Sequence, residues 1–333
     1  MDITAQRTSQ PVIHSTARGS IRLSLGGVAL NVSRAAQRHS QAHNSVVLAA
    51  PTNSLDPLGR YLRAEMQQRE LRQDALLHAE GERTAVCNLL LDEQGNLETG
   101  VADMGIVEQT LTPSAVERVF SRWHTQHLAV VAADANMPPE TLRKLVQLCT
   151  AHDVPFLFEP TSVAKADRLV DGLLQQSCTA QFATPNALEL AQMAKRMRSN
   201  GWPGESVEAP ASLTQALPET AAQLLNDAGV VAQLVNVLFI KLGSAGVLAV
   251  CREQRGLHAY HTPAPVLDPS KPINTTGAGD TFTGAILAAI AAIPRKCRPA
   301  SSWNREELKA LIDRGQSAAQ QTLYSREAVA ECL

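Results

Sequence analysis

The 333-residue chain carries 30 basic and 32 acidic residues, a formal net charge of −2, so it has no global field of the kind that draws a protein onto nucleic acid or an anionic membrane. Aromatic residues make up only 4% of it, too few for a base-stacking surface, and a small-molecule partner is expected instead. Six cysteines (Cys87, Cys149, Cys178, Cys251, Cys297, Cys332) lie far apart with no C-x-x-C pair, which argues against a disulfide framework or a zinc module and for reduced packing thiols. MDITAQRTSQ has neither the basic nor the apolar region of a leader, and no apolar run could span a bilayer, so a cytoplasmic enzyme is expected.

Short β-rich runs alternate with longer helical stretches, the pattern of repeated βαβ units around a mainly parallel sheet covered on both faces. In chain order the spacing predicts helix near 29–42, strand at 45–49 and helix near 57–69. TAVCNLLLD (84–92), the turn Glu93-Gln94-Gly95-Asn96 and LETGVAD (97–103) then read as a β-hairpin, a small lid over 84–103. Strands follow at 128–133, 155–158, 181–183, 236–241, 246–251 and 257–261, with helices near 138–152, 186–198, 216–228, 277–292 and 304–324. The Pro-, Gly- and Ser-rich stretch 200–218 lacks periodicity and reads as a surface loop. Nothing in the length demands a second domain, so residues 1–333 are taken as one.

The strongest chemical signal is Asn274-Thr275-Thr276-Gly277-Ala278-Gly279-Asp280, followed directly by the apolar helix TFTGAILAAIAAI. Glycines around Ala278 let the backbone turn tightly, and amides exposed at a helix start form a hole for anionic oxygen. Asp280, in the first turn beside that hole, is placed to take a proton from an attacking hydroxyl. The bland alternative is a Gly-rich turn capped by Asp280. A second pair, Gly26-Gly27, precedes a helix carrying Asn31, whose amide can both donate to and accept from sugar hydroxyls. There is no Walker A sequence and no G-x-S-x-G elbow.

In this order and at this separation the two motifs resemble the ribokinase-like (PfkB) carbohydrate kinases, whose members carry an early G-G-x-x-x-N and a late D-T-x-G-A-G-D. The resemblance covers nearly the entire chain and implies an α/β fold, a doubly wound, mainly parallel sheet with helices on both faces and a small β lid. It also implies ATP as phosphoryl donor and Mg²⁺. Leu55-Asp56-Pro57-Leu58-Gly59 looks like the family's D-x-x-G helix start. Thr184-Pro185-Asn186-x-x-Glu189 looks like its N-x-x-E motif, with a capping pair as the alternative. Lys241-Leu242-Gly243-Ser244-Ala245-Gly246 looks like its nucleotide-lining turn. The resemblance thus implies catalysis by Asp280 with the Gly277, Ala278 and Gly279 amides, nucleotide binding by Asn186, Lys241, Gly243, Gly246 and Thr275, and a largely water-mediated metal role for Glu189 and Glu159.

Phe158-Glu159-Pro160-Thr161-Ser162-Val163-Ala164-Lys165-Ala166 is similar to the E-P-x-S-V-A-K segment of the family's pseudouridine kinases, as are Asp134-Ala135-Asn136 and Thr84-Ala85-Val86. The implied reaction is transfer to the 5′-hydroxyl of pseudouridine, with Asp2, Gly26, Gly27, Asn31, Thr84 and Asn136 binding substrate and no role for Lys165. Other acceptors, adenosine or ribose, share the catalytic motif. Two positions depart from the family. Asp2 matches an aspartate that members place after an apolar strand, and that strand is absent here, so either the chain is a truncated, weakly active binding form or Asp2 sits on an untethered terminus. Asn274 stands where many members carry Asp, which leaves an activating K⁺ open. A lid hairpin with one apolar face would gain by pairing with its twin, so a homodimer is expected.

Overall fold

The computed structural model describes residues 1–9, 14–42, 45–94, 97–123, 128–174, 176–202, 217–253, 256–271, 273–293 and 303–331. Of the sequence expectations, the lid turn at Gly95-Asn96, most of the 200–218 loop, Cys297 and Cys332 lie outside them.

Chain order runs β1 (Asp2–Arg7), β2 (Gly19–Ser24), α1 (Val28–His39), β3 (Pro51–Thr52), α2 (Pro57–Gln68), β4 (Leu77–His78), β5 (Val86–Leu91) and β6 (Leu97–Asp103). Then come α3 (Gly105–Thr110), α4 (Pro113–Arg122), β7 (Val131–Asp134), α5 (Pro139–Ala151), β8 (Phe156–Glu159), α6 (Asp167–Leu173), β9 (Ala180–Ala183) and α7 (Ala187–Ser199). Last are α8 (Glu219–Ala222), α9 (Leu225–Val231), β10 (Val235–Lys241), β11 (Val247–Glu253), β12 (Gly256–Thr262), α10 (Ala278–Ala291) and α11 (Arg305–Leu323).

The larger sheet has the order β12-β11-β10-β9-β8-β7. β7 through β10 are parallel and β11 and β12 add antiparallel. Strand alternation divides its apolar side chains between two cores. Phe156 and Phe158 face α5, α6 and α7, while Leu157, Phe182 and Phe239 face α10 and α11. Both faces are buried, which is why these strands read as continuous apolar runs. The lid is a separate sheet of order β2-β1-β5-β6.

Three expectations are corrected. Residues 45–49 pair with nothing in a ladder; Val46, Val47 and Leu48 instead line an apolar cavity, and β-branched side chains suit either burial. Among the described residues, the short ladder that follows them is the two-residue β3 with β4. Helix 216–228 is two short helices, α8 and α9, because Pro218 starts the first and Gln223-Leu224 interrupt it. And the N-terminus is tethered: β1 pairs antiparallel with β2 and parallel with β5. The Met1 amine donates to Gly26 O (3.3 Å) and Ala85 O (3.2 Å), and Arg7 pairs with Glu98 and Glu93. α3, α4 and α6 were not foreseen, although Thr112-Pro113 is a readable cap for α4. No helix among the described residues is long and apolar enough to cross a membrane.

α1 and α10, the helices that follow the two glycine motifs, cross at backbone contact. A Cβ built on Gly284 would lie 2.4 Å from Val32 O, 2.6 Å from Ala35 Cβ and 2.9 Å from Ala36 N. Gly284→Ala gains about 1 kcal/mol of helix propensity, but overpacking against rigid backbone costs about 1–3 kcal/mol. The variant is expected to melt below the wild type; a melting temperature at or above wild type would show that the helices can separate freely.

Candidate active site

The close crossing brings Asn31 of α1 to Asp280 of α10, with Asn31 Nδ2 donating to Asp280 Oδ2 at 2.8 Å. Gly277 caps α10 in the left-handed region (φ 76°), and a Cβ there would meet Ala328 O at 2.0 Å, so only glycine fits. The first-turn amides beside Asp280 have no intrahelical acceptor and carry the positive end of the helix dipole. Burial pushes the Asp280 carboxyl up to about 7. The Asn31 bond and the Lys241 charge oppose that rise, while the charges of Glu159 and Asp134 add to it. Asn31 is buried and its Oδ1 has no partner among the described residues. A carboxyl near neutrality, an orphaned acceptor and a set of amides therefore stand together, which suits proton removal from one hydroxyl while a neighbouring hydroxyl is held.

Behind Asp280 lies a buried ion pair. Lys241 Nζ at the end of β10 donates to Glu159 Oε2 (2.9 Å) and Oε1 (3.1 Å), and Glu159 Oε2 accepts from Thr184 (2.6 Å) and Thr283 (2.8 Å). Lys241 Nζ would be 3.5 Å from a Cβ on Gly279, so the cation flanks the anion hole. Asn186 and Glu189 form a capping box at the start of α7: Glu189 N donates to Asn186 Oδ1 (2.9 Å) and Asn186 N to Glu189 Oε2 (2.8 Å). Burial raises the Glu189 carboxyl above its ordinary value, and Lys241 pulls it back. The bland reading of this motif, a capping pair, is thus satisfied, with Glu189 Oε1 outside the box. Gly243 (φ 59°) and Gly246 (φ 97°) bound the turn after β10. Thr275 is exposed in the loop before Gly277. Asn274 braces that loop, donating to Ser325 O and accepting from Thr276 N.

A cavity of about 730 Å³ opens beside this cluster, and Asp2, Gly26, Gly27, Thr84, Asn136 and Glu159 line it. Asp2 reaches it from β1, so close to Gly26 that a Cβ there would lie 1.7 Å from Asp2 Oδ2. Burial raises the Asp2 carboxyl and the adjacent amine lowers it. Thr84 is buried and occupied: its amide donates to Asp56 Oδ2 and its hydroxyl accepts from Asn53 N. It braces the start of the lid while lining the cavity. The cavity continues past Val130, Ala132, Leu287 and Ala288, alongside β7, which ends the larger sheet.

The sequence analysis gave no site role to Asp134, Thr184 or Thr283, although Asp134 and Thr184 lie in motifs it quoted. Asp134, at the end of β7, accepts from Ala29 N (3.0 Å), Asn136 N (2.9 Å) and Asn136 Nδ2 (3.0 Å), while burial raises its carboxyl. Its signal was its place at the carboxyl end of a parallel strand. Nothing local tied the threonines to Glu159, which is distant in the chain. Among the described residues, no group of three or more His, Cys, Asp or Glu could hold a metal ion by itself.

The value near 7 sets a pH test. Because the folded Asp280 binds its proton more tightly than an ordinary carboxyl at 3.8, its contribution to stability is complete below about pH 4 and is lost as pH rises through about 7. Asp280→Asn, which cannot ionise, should melt with the wild type near pH 4 and increasingly above it towards pH 8. A gap that stays constant with pH would refute the shift.

Residues 3–332 match the family described as pfkB family carbohydrate kinase. A pseudouridine kinase of Arabidopsis thaliana is 25% identical over 339 aligned residues, which cover 87% of this chain and 82% of that protein. Ribokinase from Giardia lamblia superposes with a TM-score of 0.73 at 17% identity, covering 99% of this chain and 92% of its own. Arabidopsis thaliana ribokinase complexed with ribose and ATP superposes with a TM-score of 0.66 at 15% identity, covering 99% of this chain and 92% of its own. The chain shares the ribokinase fold of these structures. The chain belongs to the PfkB family of carbohydrate kinases and is an ATP-dependent sugar or nucleoside kinase.

Proposed function

We propose that the protein transfers the γ-phosphoryl group of ATP to the 5′-hydroxyl of pseudouridine, in the cytoplasm. The observation that carries the reading is the Asn31–Asp280 pair. Asp280 takes the proton of the attacking hydroxyl, and the orphaned Oδ1 of Asn31 accepts from a neighbouring hydroxyl of the same sugar. Gly26 and Gly27 bring backbone close to the sugar, and Asp2, on the lid strand β1, closes over it. The amides of Gly277, Ala278 and Gly279, with Lys241 alongside, stabilise negative charge on the transferred group. Asn186, Gly243, Gly246 and Thr275 line the nucleotide. The E-P-T-S-V-A-K segment and the Arabidopsis relative support pseudouridine as acceptor.

The donor set fits a hydrated Mg²⁺ carried on the nucleotide. Glu159 Oε2 is taken by Lys241, Thr184 and Thr283, and a metal-bound water finds its acceptors in Glu189 Oε1 and the remaining lone pair of Glu159 Oε1. Mg²⁺ commonly retains several waters beside one or two carboxylates, and it would supply charge neutralisation of the phosphates. Asn274, occupied by Ser325 and Thr276, lends no support to K⁺ activation.

ADP release should be measured with ATP-Mg²⁺ and, separately, pseudouridine, uridine, adenosine and ribose. The expected result is preference for pseudouridine, kcat/KM rising with pH through about 7, and a loss of at least about hundredfold in Asp280→Ala. Preference for another acceptor would keep the kinase and remove the substrate. Silence towards all four from a cooperatively melting protein would leave a weakly active binding form.

The outer lid face supports a homodimer. Register aligns Ile21, Ala5 and Leu90, and next to them Leu23, Ile3, Asn88 and Val101, with Ile21 78% and Val101 72% exposed. Sedimentation should give twice the chain mass, and Ile21→Glu the single mass; a monomeric wild type would discard the dimer.

A further inference from the structure

We infer that Asp134 is a positioning residue for phosphoryl transfer: reaching across the fold from β7, it caps α1 and so holds Asn31 against Asp280. The inference rests on the reading of Asp280 as the base and of Asn31 as the group that holds the neighbouring hydroxyl. A helix start leaves its first amides without intrahelical acceptors, and a serine, threonine, aspartate or asparagine at the cap position commonly supplies one. α1 has no such local cap: Gly27 occupies the position at φ 100°, and no side chain there bonds to the first turn. The acceptor comes instead from 105 residues away, with Ala29 N donating to Asp134 Oδ2 at 3.0 Å. Asn31 lies two residues beyond Ala29, so whatever fixes the first turn of α1 fixes where the Asn31 amide points. A negative charge at this end of the helix also suits the positive end of its dipole.

The same carboxylate ties down a second part of the cleft. Asn136 N donates to Asp134 Oδ1 at 2.9 Å and Asn136 Nδ2 to Asp134 Oδ2 at 3.0 Å, and Asp134 and Asn136 both line the cavity. Asp134 is buried, where a carboxylate is costly unless it is hydrogen-bonded, and these bonds meet that demand. All three partners are donors, so the position suits a group that only accepts; an amide would turn an N–H towards one of them. Asp280 in turn faces Asn31 on α1, Glu159 on β8, Lys241 on β10 and Asp134 on β7. The Asn31 bond holds the Asp280 carboxyl down more strongly than the charge of Asp134 pushes it up. Loosening α1 therefore moves that carboxyl up, whereas losing the Asp134 charge with Asn31 still in place would move it down.

Two substitutions in the full chain test the role. Asp134→Ala removes cap and charge together; Asp134→Asn keeps the side-chain shape and one acceptor oxygen, and serves if the alanine variant does not fold. ADP release should be followed across the pH range around 7 with ATP-Mg²⁺ and the acceptor that the wild type prefers among pseudouridine, uridine, adenosine and ribose. In both variants KM for the acceptor should rise about tenfold and KM for ATP less than about threefold. The limb of kcat/KM that lies near pH 7 in the wild type should move to higher pH. A limb displaced to lower pH would make Asp134 a neighbouring charge only, an unmoved limb would make it a structural brace, and equal rises in the two KM values would sever it from Asn31; each result would overturn the assignment. Wild-type activity in Asp280→Ala would instead remove the base on which the inference rests, a failure visible before Asp134 is touched.

Discussion

The crossing of α1 and α10 at Gly284 is the contact on which the site depends. Each helix follows a glycine motif that by itself is an ordinary turn. Only because Gly284 lets the α1 backbone approach within van der Waals contact does Asn31 meet Asp280. The same approach sets α10 over the sheet, so that Thr283 reaches Glu159 one turn after the anion hole. A Cβ at this single position would push Asn31 and Asp280 apart.

Charge is arranged around that contact with a marked imbalance. The charges of Glu159 and Asp134 push the Asp280 carboxyl up and that of Glu159 pushes Glu189 up, while Lys241 pulls both back. Its pairing with Glu159 leaves Asp280 incompletely compensated, which is one reason the carboxyl rises to about 7. A general base is most effective when its proton affinity lies near the working pH. The arrangement also places a buried cation beside amides that would face phosphate oxygens, so the charge that holds Glu159 in place lies next to the one position where anionic oxygen is expected.

Some of the side chains singled out in the sequence also hold the frame. Thr84 joins Asp56 and Asn53, and Asn186 with Glu189 caps α7. These bonds fix where strands and helices begin around the cleft, which positions the groups that remain free. Conversely, Asp2 is anchored: a buried amine hydrogen-bonded to Gly26 and Ala85 secures the first residues within the lid sheet.

The alternation of strand and helix, the two glycine turns, the capping box at Asn186 and the lid hairpin were legible in the sequence, because each is set by side-chain period or by backbone preferences within a few residues. The family followed from the order of two such motifs. What the sequence could not carry were the relations between distant positions. β1 was unreadable because DITAQR is a strand only when β2 and β5 flank it, and 45–49 was misread because apolar β-branched residues line a cavity as readily as a sheet. The buried Glu159–Lys241 pair, the threonines that satisfy Glu159 and the Lys165–Asn136 contact each join residues far apart in the chain. The elevated Asp280 carboxyl belongs here too, since desolvation is a property of packing. Local chemistry determined which groups were available to the site, and only the tertiary structure decided which of them stay free to meet a substrate, because hydrogen-bonding capacity is spent on whatever neighbour the fold supplies.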